Sequence, residues 1–146
     1  MRDYSDVRIM VIEDNDEDYV ATQRAFTKVG ALVDIKHLES ANLAISYLGI
    51  DSGESLPHSQ RPHLIILDLN LPGLDGREFL QILKTHAEYG SIPVIILTTS
   101  SNKVDVNECY LKGANSYMLK PVDFGKYLEG IRHLKEYWLD TALIPG

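Results

Sequence analysis

The sequence has little cysteine and no long apolar run. Cys109 is the single cysteine, so no internal disulfide can form. No apolar run reaches the roughly 18 residues that a membrane-spanning helix needs. The acidic start at residues 1–6 also lacks the apolar core of a signal peptide. These absences argue against a disulfide-stabilised secreted domain and a membrane protein, and they predict a cytoplasmic protein.

Positive charge is also scarce. The chain carries 14 Lys and Arg residues against 21 Asp and Glu residues, which gives a net charge of −7. Because nucleic-acid binding depends largely on cationic side chains, this balance argues against nucleic acid as the main partner. A length of 146 residues fits one domain. We expect residues 1–146 to form that domain, with a core at about 7–135 and a C-terminal extension at 136–146.

Five short apolar runs predict β-strands at residues 8–13, 32–38, 63–68, 93–98 and 116–119. The first, third and fourth runs are almost continuous in Ile, Val, Leu and Met. Continuous rather than alternating apolarity is typical of parallel strands that are covered on both faces. The sequence therefore predicts a parallel sheet between two layers of helices.

Stretches with helical periodicity follow the strands, at residues 16–29, 40–48, 75–89, 102–112 and 123–139. Gly30 favours an end to the first helix, Asp75 and Asp123 are cap candidates for the third and fifth, and Ser100 or Ser101 for the fourth. The order is (βα)₅, which with right-handed crossovers predicts a doubly wound α/β fold. The long loop at 49–62 is either a surface insertion or a contact surface.

Polar side chains stand at the carboxyl ends of four predicted strands. The first strand ends in Glu13 and Asp14, the third in Asp68, the fourth in Thr98 and the fifth in Lys120. Open α/β sheets place their sites at this edge, so we expect these side chains to converge.

The converging groups suit phosphoryl chemistry. Carboxylates at close range repel one another unless a proton or a cation lies among them, and hard oxygen ligands favour Mg²⁺. A carboxylate that attacks phosphorus needs charge neutralised on the phosphoryl oxygens. Mg²⁺ and the Lys120 ammonium can supply that charge, and the Thr98 hydroxyl can donate a hydrogen bond. The sequence therefore predicts an aspartyl-phosphate site on Asp68.

Each residue alone has a plainer interpretation. A strand-end Asp is commonly a helix cap or a solvated turn residue, and Lys120 alone is an ordinary surface cation. The acidic run at residues 13–18 is interpreted for the most part as a solvated helix start that complements the helix dipole. The combination at the right strand ends carries the prediction.

With these motifs, the sequence resembles the receiver domains of two-component response regulators over about residues 7–135. The resemblance implies a flavodoxin-like (βα)₅ receiver fold with strand order 2-1-3-4-5. It implies that Asp68 is the phosphoacceptor. It also implies Mg²⁺ ligands at Asp14, Asp68 and the backbone carbonyl of Asn70, with Glu13 acting through water.

The same resemblance assigns the switching elements. Thr98 and Lys120 match the residues that bind the phosphoryl group, and Tyr117 matches the switch aromatic. Pro121 matches a proline that usually follows a cis peptide bond, an uncommon form even before proline. Thr99 departs from the family, in which Ala, Gly or Ser is commoner at that position.

A narrower resemblance is to the response regulators of cyanobacterial and bacterial phytochromes. It rests on the loop at 49–62, the Glu13-Asp14-Asn15 start and the ending at 136–139. It implies a phosphorelay regulator that accepts its phosphoryl group from a sensor histidine kinase of the phytochrome type. Such a protein signals by conformational change through protein contacts and is not an enzyme acting on external substrates. Because the chain ends soon after the fifth helix, we expect no DNA-binding output domain.

The C-terminal residues predict a homodimer. Tyr137, Trp138 and Leu139 continue the apolar pattern of the fifth helix past the expected end of the sheet, and residues 141–145 carry no charge. Exposed apolar residues need a cover, and two-fold pairing would let each tail cover its partner. The phytochrome-regulator resemblance also implies pairing, because dimers are usual among those proteins. The alternative is a tail that folds back over its own domain.

Three other functions compete with this one, and the sequence favours none of them. A flavin binder of similar fold needs a Ser, Thr or Gly phosphate loop after the first strand, where this chain has acidic residues 14–18. A phosphatase of the haloacid dehalogenase type places its nucleophilic Asp on the first strand, whereas Asp68 ends the third. A phosphorylation-independent interaction module of the same fold would need none of the site residues.

Overall fold

A computed structural model describes residues 3–146. Its five strands form one parallel sheet in the order β2-β1-β3-β4-β5. The strands are β1 Arg8–Ile12, β2 Asp34–Leu38, β3 Leu64–Leu67, β4 Val94–Thr98 and β5 Ser116–Leu119. This topology confirms the predicted fold class and strand order. No helix in the described part of the chain is long and apolar enough to cross a membrane.

Five α-helices connect and cover the strands. They are α1 Asp16–Lys28, α2 Ala41–Leu48, α3 Gly76–Thr85, α4 Lys103–Leu111 and α5 Phe124–Trp138. Helix α3 ends four residues before its predicted end at residue 89, because His86 adopts an extended conformation. The imidazole Nδ1 of His86 then accepts the amide of Glu88 at 3.1 Å, which turns the chain away from the helix.

The helix starts follow the predicted caps with one correction. Asp75 and Asp123 cap α3 and α5 as expected. Helix α4 is capped by Asn102 and not by Ser100 or Ser101, because the Asn102 side chain accepts the Val104 amide at 2.8 Å. The Ser100 hydroxyl instead donates to an Asp105 carboxylate oxygen at 2.6 Å.

Two apolar layers lie on opposite faces of the sheet. Helices α2, α3 and α4 contribute to one layer, and α1 and α5 contribute to the other. Strands β3 and β4 are buried along their whole length, and β1 from its second residue. Their continuous apolar sequences therefore have the predicted cause, which is cover on both faces. This packing fixes the central strands and hence the residues at their carboxyl ends.

The loop at residues 49–62 is fastened to the domain by Tyr89. The buried Tyr89 hydroxyl donates to the Leu48 carbonyl at 2.5 Å and accepts the Leu56 amide at 2.8 Å. Arg61 adds an ion pair with Glu88 at 2.6 Å. These contacts account for a fixed conformation of the loop and leave its use as a contact surface a prediction.

The C-terminal tail turns back toward the amino-terminal edge of the sheet. Leu139 is only 4% exposed and belongs to the core layer that α1 and α5 form. The residues that follow line an open groove of about 280 Å³ together with Val7 and His63. Leu143 stays fully exposed. Within one chain, therefore, the tail covers part of its own domain and leaves an apolar side chain uncovered.

Candidate functional site

The carboxyl ends of four strands bring the predicted polar residues together. Glu13 follows β1, Asp68 follows β3, Thr98 ends β4 and Lys120 follows β5. Glu13, Asp68 and Thr98 are buried, which is uncommon for polar side chains without partners. Asp14 lies beside them and is exposed to solvent. The parallel sheet thus converts four distant stretches of sequence into one site.

Three carboxylates form a cluster suited to a cation. One oxygen each from Glu13, Asp14 and Asp68 lie within 4.8 Å of one another. Such a cluster of like charges, two of them buried, is unfavourable unless positive charge is supplied. All-oxygen donors are the preferred ligands of hard divalent cations such as Mg²⁺, so the residues present fit a metal of that class.

Lys120 supplies positive charge to the cluster. Its ammonium nitrogen lies 3.0 Å from Oδ2 of Asp68 and 3.0 Å from Oδ2 of Asp18, and it also donates to Glu13. The Lys120 side chain is only 6% exposed, so these contacts are shielded from bulk water. The sequence predicts that Lys120 converges on the acidic residues, and the structure places its ammonium as their buried counter-ion.

Burial and neighbouring charge perturb two of these groups. Loss of solvation raises the pKa of Glu13 to about 7, the charge of Asp68 adds to this rise, and the hydrogen bond from Lys120 opposes it. For Lys120, burial lowers the pKa, but the hydrogen bond to Glu13 and the charges of Asp68 and Glu13 outweigh burial and raise it. Lys120 is therefore protonated throughout the physiological pH range.

Asn70 and Thr98 extend the site along its rim. The Asn70 amide donates to Oδ1 of Asp68 at 3.3 Å, and its side-chain nitrogen lies 3.5 Å from the Thr98 hydroxyl oxygen. Asn70 thus touches both the phosphoacceptor candidate and the switch candidate. A ligand role for its backbone carbonyl stays a prediction.

Tyr117 lies on β5, half-buried against the layer formed by α2, α3 and α4. Its hydroxyl donates to the Ser100 carbonyl at 2.8 Å. Ser100 belongs to the loop that follows Thr98, so this bond ties Tyr117 to the segment that Thr98 begins.

The expectation of a cis peptide bond before Pro121 is wrong. No cis peptide bond occurs in the described chain, so the bond between Lys120 and Pro121 is trans. The trans form remains favoured by about 0.5–1 kcal/mol even before proline. The Lys120 amide donates to the Thr98 carbonyl at 2.7 Å, and the ammonium reaches the site with the trans bond in place.

Asp18 is a site residue that sequence reasoning missed. It lies in the acidic run that was interpreted as a solvated helix start, yet its carboxylate contacts Lys120. The usable signal was its position in α1. Asn15 caps this helix and accepts the Asp18 amide, which makes Asp18 the third helical residue. Because side chains tilt toward the start of a helix, a residue there can reach back to the end of β1.

Known proteins share this fold and are similar to this chain in sequence. The family model for the response regulator receiver domain matches residues 9–132. The chain is 34% identical to a probable methanogenesis regulatory protein, FilR2, of Methanothrix harundinacea over 94% of this chain and 87% of that protein. It is 33% identical to the response regulator Rcp1 of Synechocystis, over 94% of this chain and 92% of Rcp1.

Solved structures agree with the sequence comparisons. The crystal structure of the phosphorylated cyanobacterial phytochrome response regulator RcpA superposes with a TM-score of 0.87 at 31% identity, covering 97% of this chain and 100% of RcpA. The Mn²⁺-bound form of Rcp1 gives a TM-score of 0.84 at 30% identity, covering 96% of this chain and 99% of Rcp1. A phosphorylated relative and a metal-bound relative thus share this architecture.

The shifted Glu13 carboxyl predicts a pH-dependent stability. Its pKa is about 7 in the folded chain against an ordinary value of 4.5, so folding favours the protonated form. The contribution of this pKa shift to the free energy of unfolding is fully present below pH 4.5 and is lost as pH rises through 7. Glu13→Gln removes this titration. Between these pH values, wild type should therefore lose up to about 3 kcal/mol of unfolding free energy relative to the variant.

Urea unfolding in EDTA across this pH range measures the difference. Glu17→Gln, which replaces an exposed acid of α1, is the matched control. If the unfolding free energies of wild type and Glu13→Gln change equally with pH, the raised pKa assigned to Glu13 is wrong.

Proposed function

Because this chain belongs to the response regulator receiver domain family, we propose that it acts as a phosphorelay response regulator whose phosphoryl group is carried by Asp68. The observation behind this assignment is the position of Asp68. Its buried carboxylate belongs to the acidic cluster with Glu13 and Asp14 and lies 3.0 Å from the Lys120 ammonium. The site therefore combines a nucleophile with positive charge at hydrogen-bond distance.

The chemistry follows from these contacts. An Asp68 oxygen forms a bond to phosphorus while the bond between phosphorus and the histidine nitrogen of the donor kinase breaks, and that nitrogen keeps the electron pair. Lys120 neutralises charge on the phosphoryl oxygens, and the Thr98 hydroxyl donates to one of them. The protein modifies itself in this step and turns over no external substrate.

We assign the metal to the acidic cluster and propose Mg²⁺ as the physiological ion. Asp14, Asp68 and the Asn70 carbonyl would hold it, with Glu13 acting through a water molecule. Bound there, the ion neutralises charge that the phosphoryl group brings. The Mn²⁺-bound form of Rcp1 supports a divalent cation site in a protein of this architecture.

We propose a phytochrome-type sensor histidine kinase as the phosphoryl donor. The support is the similarity to RcpA, described as a cyanobacterial phytochrome response regulator, which extends over the whole of that chain. Residues 1–146 then act as one receiver domain with a C-terminal helix extension and tail at residues 136–146. The signal passes on by protein contact.

Phosphorylation at Asp68 is tested by labelling. Incubation of the wild type with acetyl phosphate and Mg²⁺ should add one phosphoryl group, and EDTA should prevent it. Asp68→Asn removes the nucleophile and should abolish labelling, measured by intact-protein mass spectrometry. Asp16→Asn is the matched control, because Asp16 is an exposed acid of α1 that is not a member of the cluster. Equal labelling of Asp68→Asn and the wild type would contradict the assignment.

We further propose that Thr98 and Tyr117 form a switch. A phosphoryl group on Asp68 would draw the Thr98 hydroxyl toward it, and the Thr98 segment carries the Ser100 carbonyl that binds Tyr117. The new charge on Asp68 would then shift the equilibrium between two conformations of the surface that α4, β5 and α5 form.

Structures with and without beryllofluoride, a phosphoryl mimic, test the switch. Thr98 should move toward Asp68 and the Tyr117 hydroxyl should change its partner on loading. Asp68→Asn serves as the unloaded control under identical conditions. Identical positions of Thr98 and Tyr117 in both structures would rule the switch out.

We also propose a homodimer through the tail. Tyr137 is 55% exposed and Leu143 fully exposed, and Tyr137 packs edge-to-face on Trp138, which is half-buried. Leu139 does not fit the predicted interface, because its side chain is buried within its own chain. The proposal therefore rests on Tyr137, Trp138 and Leu143.

Analytical ultracentrifugation tests the dimer. Wild type should sediment as a dimer at high micromolar concentration, and Tyr137→Glu and Leu143→Glu should shift it to monomer, because each buries a charge in an apolar interface. Leu32→Glu is the control, since Leu32 is 67% exposed elsewhere on the surface. A wild type that stays monomeric with and without beryllofluoride would contradict the proposal.

A further inference from the structure

We propose that Asp18 is a positioning residue, which together with Glu13 fixes the Lys120 ammonium so that its third N–H is directed at Asp68. This inference rests on the proposed function, because it concerns how Lys120 is presented to the phosphoacceptor. Asp18 would not contact the reacting atoms itself. It would act through Lys120.

The argument begins with the donors of Lys120. An ammonium has three N–H groups and no acceptor. Three carboxylates lie at hydrogen-bond distance in the structure, namely those of Glu13, Asp18 and Asp68, the last two at 3.0 Å. The number of donors therefore equals the number of acceptors, and both the place and the rotation of the ammonium are fixed.

Burial makes each of these partners matter. The Lys120 side chain is 6% exposed, so a lost acceptor is not readily replaced by bulk water. Asp18 itself is 41% exposed, so its carboxylate keeps part of its hydration while it holds Lys120. This combination stabilises a buried cation without placing a further buried carboxylate in the cluster.

Asp18 is itself held in place. Its amide donates to the Asn15 cap at 3.0 Å, and its carbonyl accepts the Thr22 hydroxyl at 3.1 Å. The buried Thr22 hydroxyl is also hydrogen-bonded to the Tyr127 hydroxyl of α5. The position of Asp18 is therefore set by the start of α1 and by the packing of α1 on α5, independently of the phosphoacceptor.

The arrangement suits phosphoryl transfer. When Asp68 carries a phosphoryl group, the third N–H of Lys120 can donate to a phosphoryl oxygen while Glu13 and Asp18 keep the other two. Without Asp18, one N–H of Lys120 loses its acceptor, and only Glu13 and Asp68 still hold the ammonium in place. Removing Asp18 should therefore weaken both labelling and binding of a phosphoryl mimic.

Two variants separate positioning from charge. Asp18→Ala removes the acceptor and the charge, whereas Asp18→Asn removes the charge and keeps an oxygen acceptor. Asp16→Ala is the matched control for charge and helix start, because Asp16 is an exposed acid in the same turn. Labelling rate from acetyl phosphate and beryllofluoride affinity by ¹⁹F NMR are measured at saturating Mg²⁺.

We expect Asp18→Ala to lower the labelling rate and the beryllofluoride affinity about tenfold, as for loss of one charge-assisted hydrogen bond. Asp18→Asn should recover most of both, and Asp16→Ala should match wild type. Equal values for Asp18→Ala and wild type would overturn the proposal. So would equal losses in Asp18→Asn and Asp18→Ala, because charge alone would then explain them.

A second measurement keeps the two proposals apart. The ¹H–¹⁵N signal of the Lys120 ammonium reports its restraint before any phosphorylation, and it should exchange faster with water in Asp18→Ala than in wild type. Wild type that takes no label would overturn the proposed function alone. An equally protected Lys120 signal in wild type and Asp18→Ala would overturn the role of Asp18.

Discussion

The buried ammonium of Lys120 is the interaction on which the rest of the site depends. Glu13 and Asp68 are buried carboxylates with oxygens within 4.8 Å of each other, and like charges at that range repel unless a cation is supplied. Lys120 meets both, and its own burial is tolerable only because carboxylates surround it. The three residues come from β1, β3 and β5, so charge balance holds only if the sheet has its observed order.

The sheet was predictable because each strand is marked by a short apolar run in the sequence. Continuous apolar runs in β1, β3 and β4 indicate strands that are covered on both faces. In such a sheet the functional residues lie at the carboxyl ends of the strands, where this sequence has its polar residues. The convergence of Glu13, Asp68, Thr98 and Lys120 needed no further information. These features depend on residues close together in sequence, combined through one simple topology.

The features that sequence reasoning missed depend on which of several chemically similar residues, close together in sequence, makes a given contact. Ser100 and Asn102 can both cap a helix, and packing against Asp105 decides that Ser100 does not. Asp18 is one of several acids at the start of α1; its place as third helical residue is visible in the sequence, but its contact with Lys120 is seen only in the structure. Such choices depend on three-dimensional distance, which a linear pattern does not carry.

The site is also connected to helices α4 and α3 by polar contacts. Tyr117 binds the Ser100 carbonyl, and the Ser100 hydroxyl donates to Asp105. Asp105 in turn pairs with Arg77 at 2.8 Å. Arg77 stands in the first turn of α3, the helix that follows the Asp68 loop. The loop after Thr98 is therefore held by Tyr117 of β5 and by Asp105 of α4, and a displacement of Thr98 would reach contacts that involve both α3 and α4.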